Sequence, residues 1–97
     1  HEMCVVSLLS VKMGFPGCSS LKEKRSRLHP LLVKLRKEFN PGFSETGLQD
    51  FWQSAWISCA MVSNDGHLNQ KMAQEIIRYI ESHFPDECIE EHHLEQC

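Results

Sequence analysis

Hydrophobic and polar positions alternate in two stretches of the chain and recur at helical spacing in two others. Over residues 4–13, Val5, Leu9, Val11 and Met13 share one face, and Val6, Leu8, Ser10 and Lys12 share the other. That period of two predicts a strand, ended by Gly14, Phe15, Pro16 and Gly17. Ser20 then opens a helix, with Glu23 three residues on as the partner of a capping box. Leu21, Leu28, Leu31, Leu32, Leu35 and Phe39 form its buried stripe, and Asn40-Pro41-Gly42 stops it. Pro30 removes the hydrogen bond to the Ser26 carbonyl but falls opposite the leucines, on the solvent side. One bent helix is expected, with two shorter helices as the alternative.

Residues 43–45 read as a short edge strand, because Pro41 and Gly42 lead into it, and residues 46–50 read as a loop. Residues 51–63 carry the strongest strand pattern. Phe51, Ala55, Ile57, Cys59 and Met61 lie on one face; Trp52, Ser54, Trp56, Ser58, Ala60 and Val62 lie on the other. Asn64 and Asp65 cap a second helix, whose stripe is Leu68, Met72, Ala73, Ile76, Ile77, Ile80 and Phe84. Pro85 and Asp86 end it, and residues 88–94 form a last, largely polar strand.

The order β-α-β-β-α-β with two amphipathic helices predicts an α+β, ferredoxin-like, two-layer split sandwich. Both helices cover one face of a four-stranded antiparallel sheet. The first and third strands are central, and Leu9, Val11, Leu28, Leu32, Leu35, Ile57, Cys59, Met61, Met72, Ile76 and Ile80 are the expected core. Residues 1–97 make a single domain. Met3 is read as the natural start, and His1 and Glu2 carry no weight.

Composition narrows the function. With 41% hydrophobic and 24% charged residues the chain can bury a core without staples. No stretch approaches the roughly 20 apolar residues of a membrane span, and the apolar run 4–11 lacks the flanks of a signal peptide. The five cysteines are odd in number, form no C-x-x-C, and include Cys4 and Cys59 inside apolar runs. A reducing, cytoplasmic location is expected. The net charge of −3 hides an asymmetry: residues 1–40 hold eight Lys/Arg against three acids, and residues 41–97 hold two against ten.

Several motifs together resemble the YlxP-like family of small bacterial proteins. They are Ser20-Leu21-Lys22-Glu23-Lys24-Arg25, Phe39-Asn40, Glu45-Thr46-Gly47, Asp50 with Trp52-Gln53, and Val62-Ser63-Asn64-Asp65. The resemblance spans nearly the whole chain and implies a ferredoxin-like fold. It implies no established activity and, from the neighbourhood of such genes among translation and transcription factors, at most a connection with RNA or the ribosome. Pro41-Gly42 and His92-His93 depart from the family pattern in the second and last strands.

Four features carry candidate chemistry. On a continuous first helix Lys22, Arg25, His29 and Arg36 fall in one angular band beside the leucines, while Glu23–Arg27 and Lys34–Glu38 neutralise each other at i,i+4. A cation stripe suits a phosphate backbone; the bland reading is a solvated flank. Trp52 and Trp56 are placed on the uncovered sheet face with Val6 and Leu8. An apolar patch there is expected to pair with a second copy, with base stacking as the rival.

The turn over residues 14–22, Gly14 to Lys22, leads into a helix N-terminus that could hold a phosphorylated or anionic ligand. It lacks the G-x-V-Q-G-V-x-x-R loop by which acylphosphatases do so on this fold, and Ser19 and Ser20 serve equally as caps. Cys88, His92, His93 and Cys97, with His83 nearby, are zinc-type residues. On a strand, however, His92 and His93 face opposite ways and Cys88 stands about 13 Å from His92, so no metal or cofactor is expected. The chain therefore reads as a non-enzymatic binding domain, a homodimer with an RNA or ribosomal partner. A small enzyme or sensor at the 14–22 turn is the alternative.

Overall fold

A computed structural model describes residues 4–97; His1, Glu2 and the expected start Met3 lie outside the described residues. The elements are β1 (Val5–Gly14), α1 (Leu21–Glu38), β2 (Phe43–Gly47), β3 (Ser54–Ser63), α2 (Gly66–His83) and β4 (Cys88–Gln96). All neighbours in the sheet are antiparallel, in the order β2-β3-β1-β4. This is the expected ferredoxin-like α+β arrangement, with the two most apolar strands at its centre.

Alternation decides what each strand buries. Ser7, Leu9, Val11 and Met13 of β1, and Ala55, Ile57, Cys59 and Met61 of β3, turn to the helices and are buried. Leu28, Leu31, Leu32 and Leu35 of α1 and Ala73, Ile76 and Ile80 of α2 complete one core with Phe15, Cys18 and Phe43. Of the expected core residues only Met72 is half-buried, packed against the rest. Burial also pushes the Cys59 thiol up to about 11, leaving an un-ionised, apolar side chain at neutral pH.

The helix starts follow the caps. Ser20 Oγ accepts from the Glu23 N–H at 3.0 Å and Asp65 Oδ1 from the His67 N–H at 2.9 Å. α1 runs unbroken through the exposed Pro30, so the one-helix expectation holds. The missing amide costs least on the solvent side, where water can satisfy the freed carbonyl.

Several boundaries differ from the alternation pattern. β3 begins at Ser54, not at 51, because Leu48 takes a left-handed conformation (φ 60°) and its carbonyl accepts from the Phe51 N–H at 3.0 Å. That turn carries Phe51 and Trp52 out of the sheet. Phe15 is not a surface turn residue: its N–H donates to the Gln53 carbonyl at 2.8 Å, one step beyond the last β1–β3 pair, and its ring is fully buried. On α2 the buried position is Asn69 rather than Leu68, which is 52% exposed. β1 is shifted by one residue, β2 reaches Gly47 and β4 reaches Gln96.

Ile57 is 1% exposed at the centre of the sheet. Ile57→Ala is expected to lower unfolding free energy by about 2–5 kcal/mol in urea denaturation followed by tryptophan fluorescence. A loss under 1 kcal/mol (about the cost of trimming a single buried methyl) would mean that the strand presents its other face to the helices.

Candidate functional site

The sheet has one bare face, and its side chains are set by register. Val6 stands opposite Val62 and Leu8 opposite Ala60 across the central strands. These four make an apolar plaque at one end, and Val62 is 67% exposed. Next along come three hydroxyls in a row: Ser58 Oγ lies 3.2 Å from Ser10 Oγ and 2.8 Å from Thr46 Oγ1. Beyond them Trp56 stacks on His93 from β4, with centroids 5.9 Å apart and an interplanar angle of 26°. Its indole also covers Gly47, where an added Cβ would lie 3.1 Å from the ring. At the far end Lys12 pairs in register with Glu91.

Of the four expected interface residues, Val6, Leu8 and Trp56 share this face. Trp52 does not sit in the strand with Trp56. It is 50% exposed in the turn that precedes β3 and lines a separate depression with Asp50, Phe51, Gln53 and Ser54. His93 is the residue the alternation pattern did not connect with Trp56, because the pairing of β4 with β1 is not written in either segment alone.

The basic flank of α1 is formed but unequal. Lys22, Arg25 and His29 are exposed along it. Arg36 is tied inward: Nε and Nη2 both donate to the Phe43 carbonyl, at 3.0 and 2.7 Å, and fasten the end of α1 to β2. Two cations outside that band, Lys24 and Arg27, do the most structural work. Lys24 is 2% exposed; its Nζ donates to the Leu48 carbonyl at 2.8 Å and lies 3.1 Å from Glu45 Oε2. That oxygen is buried without a hydrogen bond, so the pair is held by charge rather than by a directed bond. Lys24 stands four residues before Leu28 and seven before Leu31, inside the leucine stripe. A lysine at such a position was the available signal.

Arg27 clamps two loops together. It donates to the Pro16 carbonyl at 2.9 Å, to Glu23 at 3.3 Å and to both carboxylate oxygens of Glu87. The Glu87 hydrogen bonds push its already high pKa further up against partial desolvation. Its guanidinium also covers the Phe15 ring at 5.7 Å.

These contacts bear on the anion site expected at the 14–22 turn. The Glu23 amide is used by Ser20, and the Glu23 carboxylate itself occupies the helix start, accepting from the Ser19 hydroxyl at 3.2 Å. Desolvation would raise that carboxyl, but hydrogen bonds from Ser19 and Arg27 hold it below the usual range. The chain thus supplies its own anion there. On β4, Val11 opposite His92 and Ser10 opposite His93 put the two histidines on opposite faces.

A family described as "Protein of unknown function (DUF503)" matches residues 6–93. The uncharacterized protein YlxP of Bacillus subtilis (strain 168) is 36% identical over 81 residues, covering 76% of this chain and 87% of that protein. Neither description names an activity. Among the described residues no helix is long and apolar enough to cross a membrane.

Lys24→Met keeps most of the stem but leaves Glu45 without its counter-charge and the Leu48 carbonyl with the Phe51 N–H alone. A loss of about 3 kcal/mol is expected, the low end for breaking a buried pair, because Glu45 is 26% exposed and can draw in water. Lys22→Met, two residues earlier and exposed, should leave the urea midpoint unchanged. Equal midpoints for the two variants would show that Lys24 does not hold the β2–β3 loop.

Proposed function

The chain belongs to the DUF503 family, proteins of unknown function, and we infer that it is a non-enzymatic binding domain that pairs with a second copy through its bare sheet face. The observation that carries this reading is the apolar plaque of Val6, Leu8, Ala60 and Val62, adjacent by register on the two central strands. Contiguous apolar surface ringed by polar groups marks interaction sites. A patch that meets its own copy about a two-fold axis needs no second surface. The small Ser10, Ser58 and Ala60 let two backbones approach closely, while Lys12 with Glu91 supplies charge of both signs at the rim. Trp56, held between Gly47 and His93, stiffens the middle of the face and adds an amphipathic ring beside the contact.

The same reading assigns a phosphate-bearing partner, RNA or a ribosomal surface, to the exposed flank of α1. Lys22, Arg25 and His29 are exposed there, whereas Lys24, Arg27 and Arg36 are engaged within the fold. The flank is on the helix layer, so it stays open when the sheet faces meet.

Sedimentation at micromolar concentration is expected to show a dimer for the wild type and a monomer for Val62→Glu. Val62 is the residue to change because it is 67% exposed, so circular dichroism should be unaltered. A wild type that stays monomeric would sink the pairing, and a dimer that survives the folded variant would move it off this face.

For the flank, affinity for a structured RNA should fall steeply between low and moderate salt through counterion release. Lys22→Glu with Arg25→Glu should abolish it. Binding that ignores both salt and charge reversal would remove α1 from the contact.

A further inference from the structure

On the opposite side of the sheet, between α2 and β4, a groove of about 360 Å³ opens to solvent. Its volume falls in the low range of small-molecule sites, roughly 300–1,000 Å³. The floor is Leu9, which is 1% exposed and belongs to the core, together with the half-buried Leu94. Ala73 and Ile77 form the α2 wall. The rim is polar: Gln70, Gln74 and Arg78 follow one another at four-residue spacing along α2, and His92 faces them from β4.

The charge of this rim runs against its surroundings. Residues 41–97 carry ten acids and only two Lys/Arg, yet the groove is lined by one of those two cations, a histidine and no acid. Among the described residues neither Arg78 nor His92 makes a side-chain hydrogen bond or ion pair. By contrast Arg27 on α1 is held by two carboxylates and a carbonyl, and Arg36 donates twice to the Phe43 carbonyl. An apolar trough reaching the core, with a free guanidinium on one rim and an imidazole on the other, is complementary to a molecule with a hydrocarbon body and a single anionic head.

We propose that the α2–β4 groove binds a small amphipathic carboxylate. The carboxylate is held by Arg78 with His92 opposite, and the chain lies over Leu9, Ala73, Ile77 and Leu94. The guanidinium can offer two parallel N–H donors to the two oxygens, the geometry that favours arginine at carboxylate sites. Gln70 and Gln74 border the hydrocarbon with amides that remain hydrated. From Gln70 to Arg78 the wall spans about 12 Å at 1.5 Å per residue, which suits a straight acid of about eight carbons. The site is separate from the bare sheet face: Leu9, His92 and Leu94 project to the helix side, while Val62 and Trp56 project away from it.

The test is titration of ¹⁵N-labelled protein with octanoate and, separately, with 1-octanol, followed by amide shifts. Octanoate is expected to perturb the amides of Ala73, Ile77, His92 and Leu94 in a saturable way, with 1-octanol weaker by about tenfold, the size of one charge-assisted contact. Arg78→Gln, a change at an exposed position, should bring octanoate down to the affinity of 1-octanol and leave 1-octanol unchanged. Val62→Glu should leave both unchanged, so failure of the sheet-face pairing is told apart from failure of this site. No saturable shift at millimolar octanoate, or equal octanoate affinity in Arg78→Gln, would overturn the proposal. Groove shifts that appear on concentrating the protein alone, without a response to octanoate, would give the groove to a second copy and also overturn it.

Discussion

Ten consecutive residue pairs, from Val5 opposite Ser63 to Gly14 opposite Ser54, join β1 to β3 without a break. Because side chains alternate, a slip of one residue by either strand would turn that strand's two faces over. Leu9 and Val11 of β1, or Ile57 and Cys59 of β3, would move to solvent, and Val6 and Leu8, or Trp56 and Val62, would move under the helices. The core, the bare face and the position of both edge strands follow from this one register. β2 and β4 add to its outer sides with local irregularities, a bulge at Glu45/Gly47 and another at Lys12/Met13. Those irregularities leave the central pairing intact.

The helices are fastened to that sheet by polar ties as well as by apolar burial. Lys24 reaches the Leu48 carbonyl, Arg36 the Phe43 carbonyl and Arg27 the Pro16 carbonyl with Glu87. On α2, Asn69 donates to Ser7 Oγ at 3.0 Å and to the Val5 carbonyl at 3.3 Å. Apolar contacts say little about how far a helix slides along a sheet, whereas a buried donor must find its acceptor. These ties therefore set the position of each helix. They also use up much of the positive charge of the first half, which is why the free flank of α1 is narrower than a count of its lysines and arginines suggests.

Two unassigned surfaces remain, and the sheet separates them. The bare face is broad, with an apolar end and a hydroxyl-rich middle, and suits another protein surface. The α2–β4 groove is narrow, reaches a core leucine and carries an unengaged guanidinium and an imidazole at its rim, and suits a small anion with a hydrocarbon tail.

The elements were legible because they depend on residues close in the chain. Alternation in β1 and β3, the leucine stripe of α1, the Ser20 and Asp65 caps and the uncovered Val6, Leu8 and Trp56 all come from local spacing. Lys24 and Asn69 were legible in part: each occupies a buried-stripe position, but nothing nearby in the chain names the acceptor that makes burial tolerable. Trp52 was placed wrongly because the pattern of alternation runs smoothly through residues 51–53, while the backbone turns at Leu48 and starts the strand later. That turn is stabilised by the ammonium of Lys24, 24 residues away. The stacking of His93 on Trp56 and the Arg78–His92 groove likewise join segments that meet only through the sheet. What the sequence determined by itself is which face of each element is buried. Only the tertiary structure decided which polar groups find partners and which stay free, because an acceptor's position is set by distant pairing and not by neighbours along the chain.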